Sequence, residues 1–190
     1  LAARDEQAEA VLVQLDTPGG LLSTTRHMIQ AIGRSRVPVL VYVGPSGASA
    51  TSAGAILLVS SHAAGMSPGT NVGAAHPVGA KGEDIGKDLR EKAVNDTVAM
   101  MKSMAQERKR PVDLAEKMVR SSSSYTAHEA FENHLIDALT EDSSAFLKSL
   151  DGKKTFIEGI GREVTLRLAS PVLVPVEMSR GQRLLHFLAD

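Results

Sequence analysis

The sequence predicts an α/β domain built on a largely parallel sheet, and three observations carry that reading. Val11-Leu12-Val13-Gln14-Leu15-Asp16 and Val37-Pro38-Val39-Leu40-Val41-Tyr42-Val43 are short, apolar runs of the kind found where a strand is covered on both faces. Between them, Leu21, Leu22, Thr25, Met28, Ile29 and Ile32 recur at helical spacing up to Gly33. Strand, helix and strand in that order form a βαβ unit, whose strands run parallel with a right-handed crossover. Both strands then end on one edge of the sheet, where sites form in open α/β folds.

The remaining elements follow in order. Thr17-Pro18-Gly19-Gly20 is a turn whose paired glycines free the backbone for positive φ. After the second strand come eleven residues, Gly44 to Gly54, none larger than proline or threonine, and they read as a tight loop. Ala55-Ile56-Leu57-Leu58-Val59 then starts a helix, since a Ser/Thr/Gly cluster precedes it and no turn signal interrupts it. Ala63 to Met66 and Asn71 to Ala75 are short strand pieces around Ser67-Pro68-Gly69-Thr70. His76 to Lys87, with three glycines and mixed charge, is expected to be an exposed, mobile loop. A long helix is predicted from about Leu89 to Glu107, buried through Val94, Val98, Met101 and Ala105, and another near Val112 to Val119. Thr126-Ala127-His128-Glu129 has capping-box spacing, Leu135 to Leu139 is a strand, and Ser143-Ser144 can cap a helix to Leu150. Residues 151–190 are expected to extend the 1–150 domain. Thr155 to Gly159 and Arg162 to Leu168 alternate as a hairpin, Pro171 to Pro175 is extended, and Ser179 to Asp190 can form an amphipathic helix.

Composition narrows the chemistry. A net charge of −1 gives no electrostatic case for nucleic acid, and Arg108-Lys109-Arg110 reads as a solvated helix end. With no cysteine, thiol catalysis, disulfides and thiolate metal sites are excluded. The histidines show no metal-ligand spacing, so no metal or cofactor is expected. No apolar run reaches the ~18 residues that would span a bilayer.

The candidate site is the small-residue stretch around Ser52. A strand, a loop of tiny side chains and a helix N-terminus allow close approach of another backbone and point unpaired N–H groups outward, as an oxyanion requires. Ser46 and Ser49 are possible nucleophiles. Ser52 is preferred because Ala53-Gly54 and the apolar helix follow it directly. The oxyanion donors would be the N–H of Ala53 and that of Gly19 or Gly20 from the neighbouring strand end. The base is less visible. His76 follows Ser52 by twenty-four residues, and among the lysines Lys92 and Lys102 compete. Amphipathicity alone turns Lys92 to solvent, although it falls near the start of its predicted helix, where the dipole disfavours an ammonium. A lysine working near neutrality needs its pKa lowered by ~3 units from ~10.4, roughly 4 kcal/mol of differential interaction.

Three blocks together, Asp16 to Gly20, Gly47 to Gly54 and Met66 to Ala74, resemble the protease domain of NfeD-type membrane proteins, which are encoded beside stomatin-like proteins. The resemblance runs from about Val11 to Leu166. It implies the Clp protease/crotonase fold of stacked ββα units and an ATP-independent serine endopeptidase with a Ser–Lys dyad. The nucleophile then falls on Ser52, the glycine pair Gly19-Gly20 supplies part of the oxyanion hole, and the lysine opening a Lys-x-x-Asn segment falls on Lys92 in Lys92-Ala93-Val94-Asn95. It further implies apolar peptide substrates such as a segment of a partner stomatin, self-association as a homodimer or higher oligomer, and a membrane-anchored protein with this domain outside the cytoplasm. Thr51 stands where the family often has alanine. Two alternatives follow from the same fold. A Clp-like Ser–His site would use His76, but aligning on Pro77 brings Ala75 to the histidine's position, and Arg120 to Ser124 offers no acid. A crotonase-type acyl-CoA enzyme, or a non-catalytic module, would not need the Ser52 hydroxyl.

Overall fold

A computed structural model describes residues 8–78 and 86–176. The βαβ unit forms as expected: β1 (Val11–Leu15), α1 (Leu22–Gly33) and β2 (Val39–Val43), with β1 and β2 parallel and Val11 opposite Val39. Then come β3 (Ser49–Thr51), α2 (Ala53–Ser60), β4 (Ala63–Met66), β5 (Asn71–Gly73), α3 (Lys87–Glu107) and α4 (Val112–Arg120). β6 (Ser124–Thr126), α5 (Ala127–Glu132), β7 (Ala138–Leu139), α6 (Ser143–Ser149), β8 (Lys154–Ile157) and β9 (Arg162–Thr165) complete the described chain.

A four-stranded parallel sheet runs in the order β1-β2-β4-β7, and a smaller one runs β3-β5-β6. In the smaller sheet β3 and β5 are parallel and β6 is antiparallel. A bridge between Thr17 and Ala50 joins the carboxyl end of β1 to β3. β2 is buried along its whole length, and its alternation separates two apolar layers. Val39, Val41 and Val43 face the larger layer with α2, Met101 and Met118, whereas Leu40 and Tyr42 face Phe146, Leu150, Leu166 and Leu168. Tyr42 stacks on Phe146 with ring centroids 5.4 Å apart and donates its hydroxyl proton to the Thr140 carbonyl. Any side chain at Gly65 would collide with that phenylalanine, which is why β4 is built of small residues there.

α2 is buried at every position, so it has no polar face from which a helical period could be read. α5 carries the expected capping box on Thr126 and Glu129. The hairpin β8–β9 is antiparallel and attaches to the main body through Glu158, which takes two hydrogen bonds from Arg108 and lies 3.2 Å from His62 Nε2.

Several expectations are corrected. Ser49 to Thr51 is a strand rather than loop, and Ser124 to Thr126 is a further strand; three polar or small residues carry no alternation to announce either. Leu21 and Met28 are exposed, leaving Leu22, Thr25, Ile29 and Ile32 as the inner stripe of α1. Asp142, not Ser143 or Ser144, caps α6, accepting from the Ala145 N–H. α3 begins at Lys87, so Lys92 lies in its second turn, where the dipole has less hold. The Ser179 to Asp190 helix and most of the His76 to Lys87 loop lie outside the described residues.

Candidate active site

The site forms where β1, β3 and β5 end together. Ser52 separates β3 from α2 and takes φ 54° and ψ −110°, a conformation for which a residue with a Cβ incurs about 1–3 kcal/mol of strain. Its backbone is held on several sides. The Ser52 N–H donates to the Gly73 carbonyl at 2.9 Å and the Ser52 carbonyl accepts from Ile56 at 3.2 Å. One residue earlier, the Thr51 N–H donates to the Thr17 carbonyl. The half-buried hydroxyl is thereby raised at the N-terminus of a buried helix.

The small residues around it have specific uses. Gly19 has φ +146°, and a Cβ there would come within 3.1 Å of Ser52 Cβ. A Cβ at Gly54 would press to 2.8 Å from Thr17 Cγ2, so the first turn of α2 can lie against the end of β1 only with glycine at that point. The Thr17 hydroxyl folds the glycine turn back on itself, accepting from the Gly19 N–H at 3.2 Å and donating to the Gly19 carbonyl at 3.0 Å. This Ser/Thr turn claims the first glycine's amide. The N–H groups of Gly20 and Ala53 have no hydrogen-bond partner among the described residues.

The rival serines are otherwise engaged or remote. Ser49 directs its hydroxyl to the Thr17 carbonyl, and Ser46 lies on an exposed turn against Gly69. The lysines also separate. Lys102 Nζ is paired with Glu116 Oε2 at 2.9 Å on the α3–α4 face. The Lys92 side chain is exposed and has no ion pair or hydrogen bond among the described residues, with Ser52 Oγ or with any other group. Ser52, Gly19, Gly20 and Ala53 are brought together, and Lys92 is not in hydrogen-bond contact with them.

Polar ties nevertheless fix the helix around Lys92. Asn95 Oδ1 accepts from Arg120 Nη1 at 3.1 Å, and Asp96 pairs with Arg26 of α1. His76 donates from Nδ1 to the Val119 carbonyl at 2.9 Å. Sequence reasoning missed these three ties. The residues of each lie between 25 and 70 positions apart, with no local pattern to connect them. The Thr17 hydroxyl was more accessible, because Thr-x-Gly within a turn is itself a signal.

The architecture is that of a Clp-protease-like α/β domain. Comparison with known proteins makes the family specific: the chain belongs to the NfeD1b family, whose N-terminal domain model matches residues 1–162. It is 35% identical to the membrane-bound protease PH1510 of Pyrococcus horikoshii, over 99% of this chain and 43% of that protein. It is 27% identical to the membrane protein NfeD1b of Bacillus subtilis, over 92% of this chain and 42% of the relative. The chain thus spans less than half the length of these curated relatives. Among solved structures, the 1510-N membrane protease of P. horikoshii specific for a stomatin homolog matches with TM-score 0.83 and 33% identity, over 100% of this chain and 86% of that one. A lysine-to-alanine mutant of 1510-N in complex with a substrate peptide matches with TM-score 0.86 and 33% identity, over 98% and 86%. A serine-to-alanine mutant matches with TM-score 0.81 and 36% identity, over 92% and 86%.

Proposed function

We propose that this domain is an ATP-independent serine endopeptidase using a Ser52–Lys92 dyad. The observation that carries the reading is Ser52 itself, a non-glycine residue held at positive φ on a helix N-terminus beside the Gly19-Gly20 turn. Backbone strain of this kind is maintained at sites where a side chain must be presented in one orientation. The neutral Lys92 amine takes the Ser52 proton as Oγ attacks a peptide carbonyl. The N–H groups of Ala53 and Gly20 stabilise the tetrahedral oxygen, while Thr17 holds the Gly19 amide and so fixes the turn. The Lys92 ammonium then returns the proton to the leaving amine, and water, deprotonated by the same amine, releases the acyl group. Lys92 has a flexible four-carbon stem with which to reach Oγ, and peptide bound over the site excludes water from the amine.

Solved relatives named as stomatin-specific, one of them with a substrate peptide, support a peptide substrate offered by a stomatin-like partner at a membrane; the segment cleaved, on this reading, is apolar. The whole protein is then membrane-anchored with this domain outside the cytoplasm, and the domain self-associates. No described helix is long and apolar enough to cross a membrane.

A second reading has one observation in its favour. With Nδ1–H on the Val119 carbonyl, His76 keeps Nε2 as a proton acceptor, the tautomer a Ser–His site would use. Cleavage of apolar peptides, followed by mass spectrometry, tests both. Cleavage lost in Ser52→Ala and Lys92→Ala and kept in His76→Ala supports the lysine dyad. Cleavage lost in His76→Ala and kept in Lys92→Ala supports histidine, and cleavage that survives Ser52→Ala overturns both.

A further inference from the structure

The nucleophile and the proposed base stand on different elements, and nothing joins them directly. A continuous run of hydrogen bonds joins them through the last turn of α4. Ser52 hangs from the Gly73 carbonyl. The three residues after Gly73 are each bonded to that turn or the loop just beyond it: Ala74 N–H to the Ser123 carbonyl at 2.9 Å, Ala75 N–H to the Met118 carbonyl at 2.9 Å, and His76 Nδ1 to the Val119 carbonyl. A side chain at Gly73 would fall 2.2 Å from the Ser123 carbonyl oxygen, so this seam is closed at backbone distance. From the same turn Arg120 reaches the other way. Its Nη1 donates to Asn95 of α3, three residues beyond Lys92, and its Nε donates to Glu116 Oε1 at 2.7 Å, which braces the guanidinium against α4.

We propose that Arg120 is a positioning residue for the dyad, setting the second turn of α3, and with it Lys92, relative to Ser52. Residues three apart on a helix share a face, so the Asn95 tether controls the height and rotation at which Lys92 is presented. On the neighbouring residue the Arg26–Asp96 pair holds α3 to α1, the element that follows the oxyanion turn. The lysine's helix is thus fastened on two sides, to α4 and to α1. His76, on this account, is a strut of the α4 seam.

The inference rests on the Ser52–Lys92 reading, and its test separates the two. The rate at which a fluorophosphonate phosphonylates Ser52, and kcat and KM on a peptide, are measured for Arg120→Ala, Asn95→Ala and the double variant, in the wild-type and Lys92→Ala backgrounds. The expected result is a loss of about tenfold in phosphonylation rate and kcat with KM little changed, as displacing a catalytic group slightly is enough for such a loss. The double variant should lose no more than either single one, because the Arg120–Asn95 bond is lost in each case. Arg120→Lys, able to keep one of the two bonds, should recover part of the rate. In the Lys92→Ala background Arg120→Ala should have no further effect. Single variants that act additively, a loss confined to KM, or an equal loss from Arg120→Ala without Lys92 would overturn the positioning role and leave the dyad standing. Phosphonylation at the wild-type rate in Lys92→Ala alone would instead remove the dyad.

Discussion

The two halves of the site are built in opposite ways. Around Ser52 the backbone does the holding: a buried helix, two strand ends and close contacts at Gly19, Gly54 and Gly73 leave its strained conformation no alternative. The turn that carries Lys92 holds no fully buried residue, and the next turn of α3 is fastened by exposed side chains, Arg120 to Asn95 and Arg26 to Asp96. The first half is rigid because removing any part of it leaves a buried polar group or a clash. The second half is adjustable, because exposed pairs of this kind contribute about 1 kcal/mol or less each. On the proposed reading, this division lets a peptide enter between Ser52 and Lys92 while the oxyanion geometry stays fixed.

Substitutions can break or sharpen that contrast. The largest effects should come from the dyad, where Ser52→Ala is expected to abolish peptide cleavage and Lys92→Ala to lower it by about 10³-fold, with Lys102→Ala within about threefold of wild type, all read from kcat/KM. Gly19→Ala, which places a Cβ against Ser52 at positive φ, should reduce kcat by about 10²-fold with a smaller change in melting temperature. Gly73→Ala meets backbone rather than side chain and should cost about 3 kcal/mol or more of stability in urea unfolding. On the adjustable side, Arg26→Ala should change stability by less than about 1 kcal/mol. An Arg26→Ala variant that unfolds as readily as Gly73→Ala would end the contrast.

A separate check concerns the seam that attaches the β8–β9 hairpin. His62 is buried, accepts from the Val39 N–H and faces Arg108, and its pKa is lowered to about 4 by burial first and by that guanidinium second, with Glu158 acting in the opposite sense. Burial pushes the Glu158 carboxyl up, but the Arg108 hydrogen bonds outweigh it and hold it below its ordinary value. Between pH 6.5 and about 4 the unfolded imidazole binds a proton that the folded one does not, so stability falls as pH falls through that window. Unfolding free energy should drop by about 2 kcal/mol from pH 7 to pH 5. A flat profile over that range would show that His62 titrates normally.

How much the sequence revealed divides along the same line as the site. Helices with one buried face, such as α1 and α3, were legible because periodicity records burial, and β1 and β2 were legible as short apolar runs. So was Ser52, since a glycine turn, a stretch without large side chains and an apolar helix are local signals of close backbone approach. α2 was read from its flanks alone, being apolar all round. β3 and β6 were missed because three-residue strands of serine, alanine, threonine and tyrosine have no pattern; tertiary pairing makes them strands. For Lys92, local chemistry pointed to solvent, and the structure places it there. Its assignment came from the Lys-x-x-Asn resemblance. The asparagine of that segment, Asn95, accepts from Arg120, twenty-five residues on, a tie that no local pattern announces.

The central claim is that an amine on α3 activates the serine that opens α2. Intact-mass analysis after treatment with a fluorophosphonate tests it most directly, on the wild-type chain and on Ser52→Ala, Lys92→Ala, Lys102→Ala and His76→Ala. The expected result is one adduct on wild type, absent in Ser52→Ala, slowed by about 10³-fold in Lys92→Ala, and close to the wild-type rate in the other two. An adduct that forms at the wild-type rate in Lys92→Ala, or that persists in Ser52→Ala, would contradict the claim.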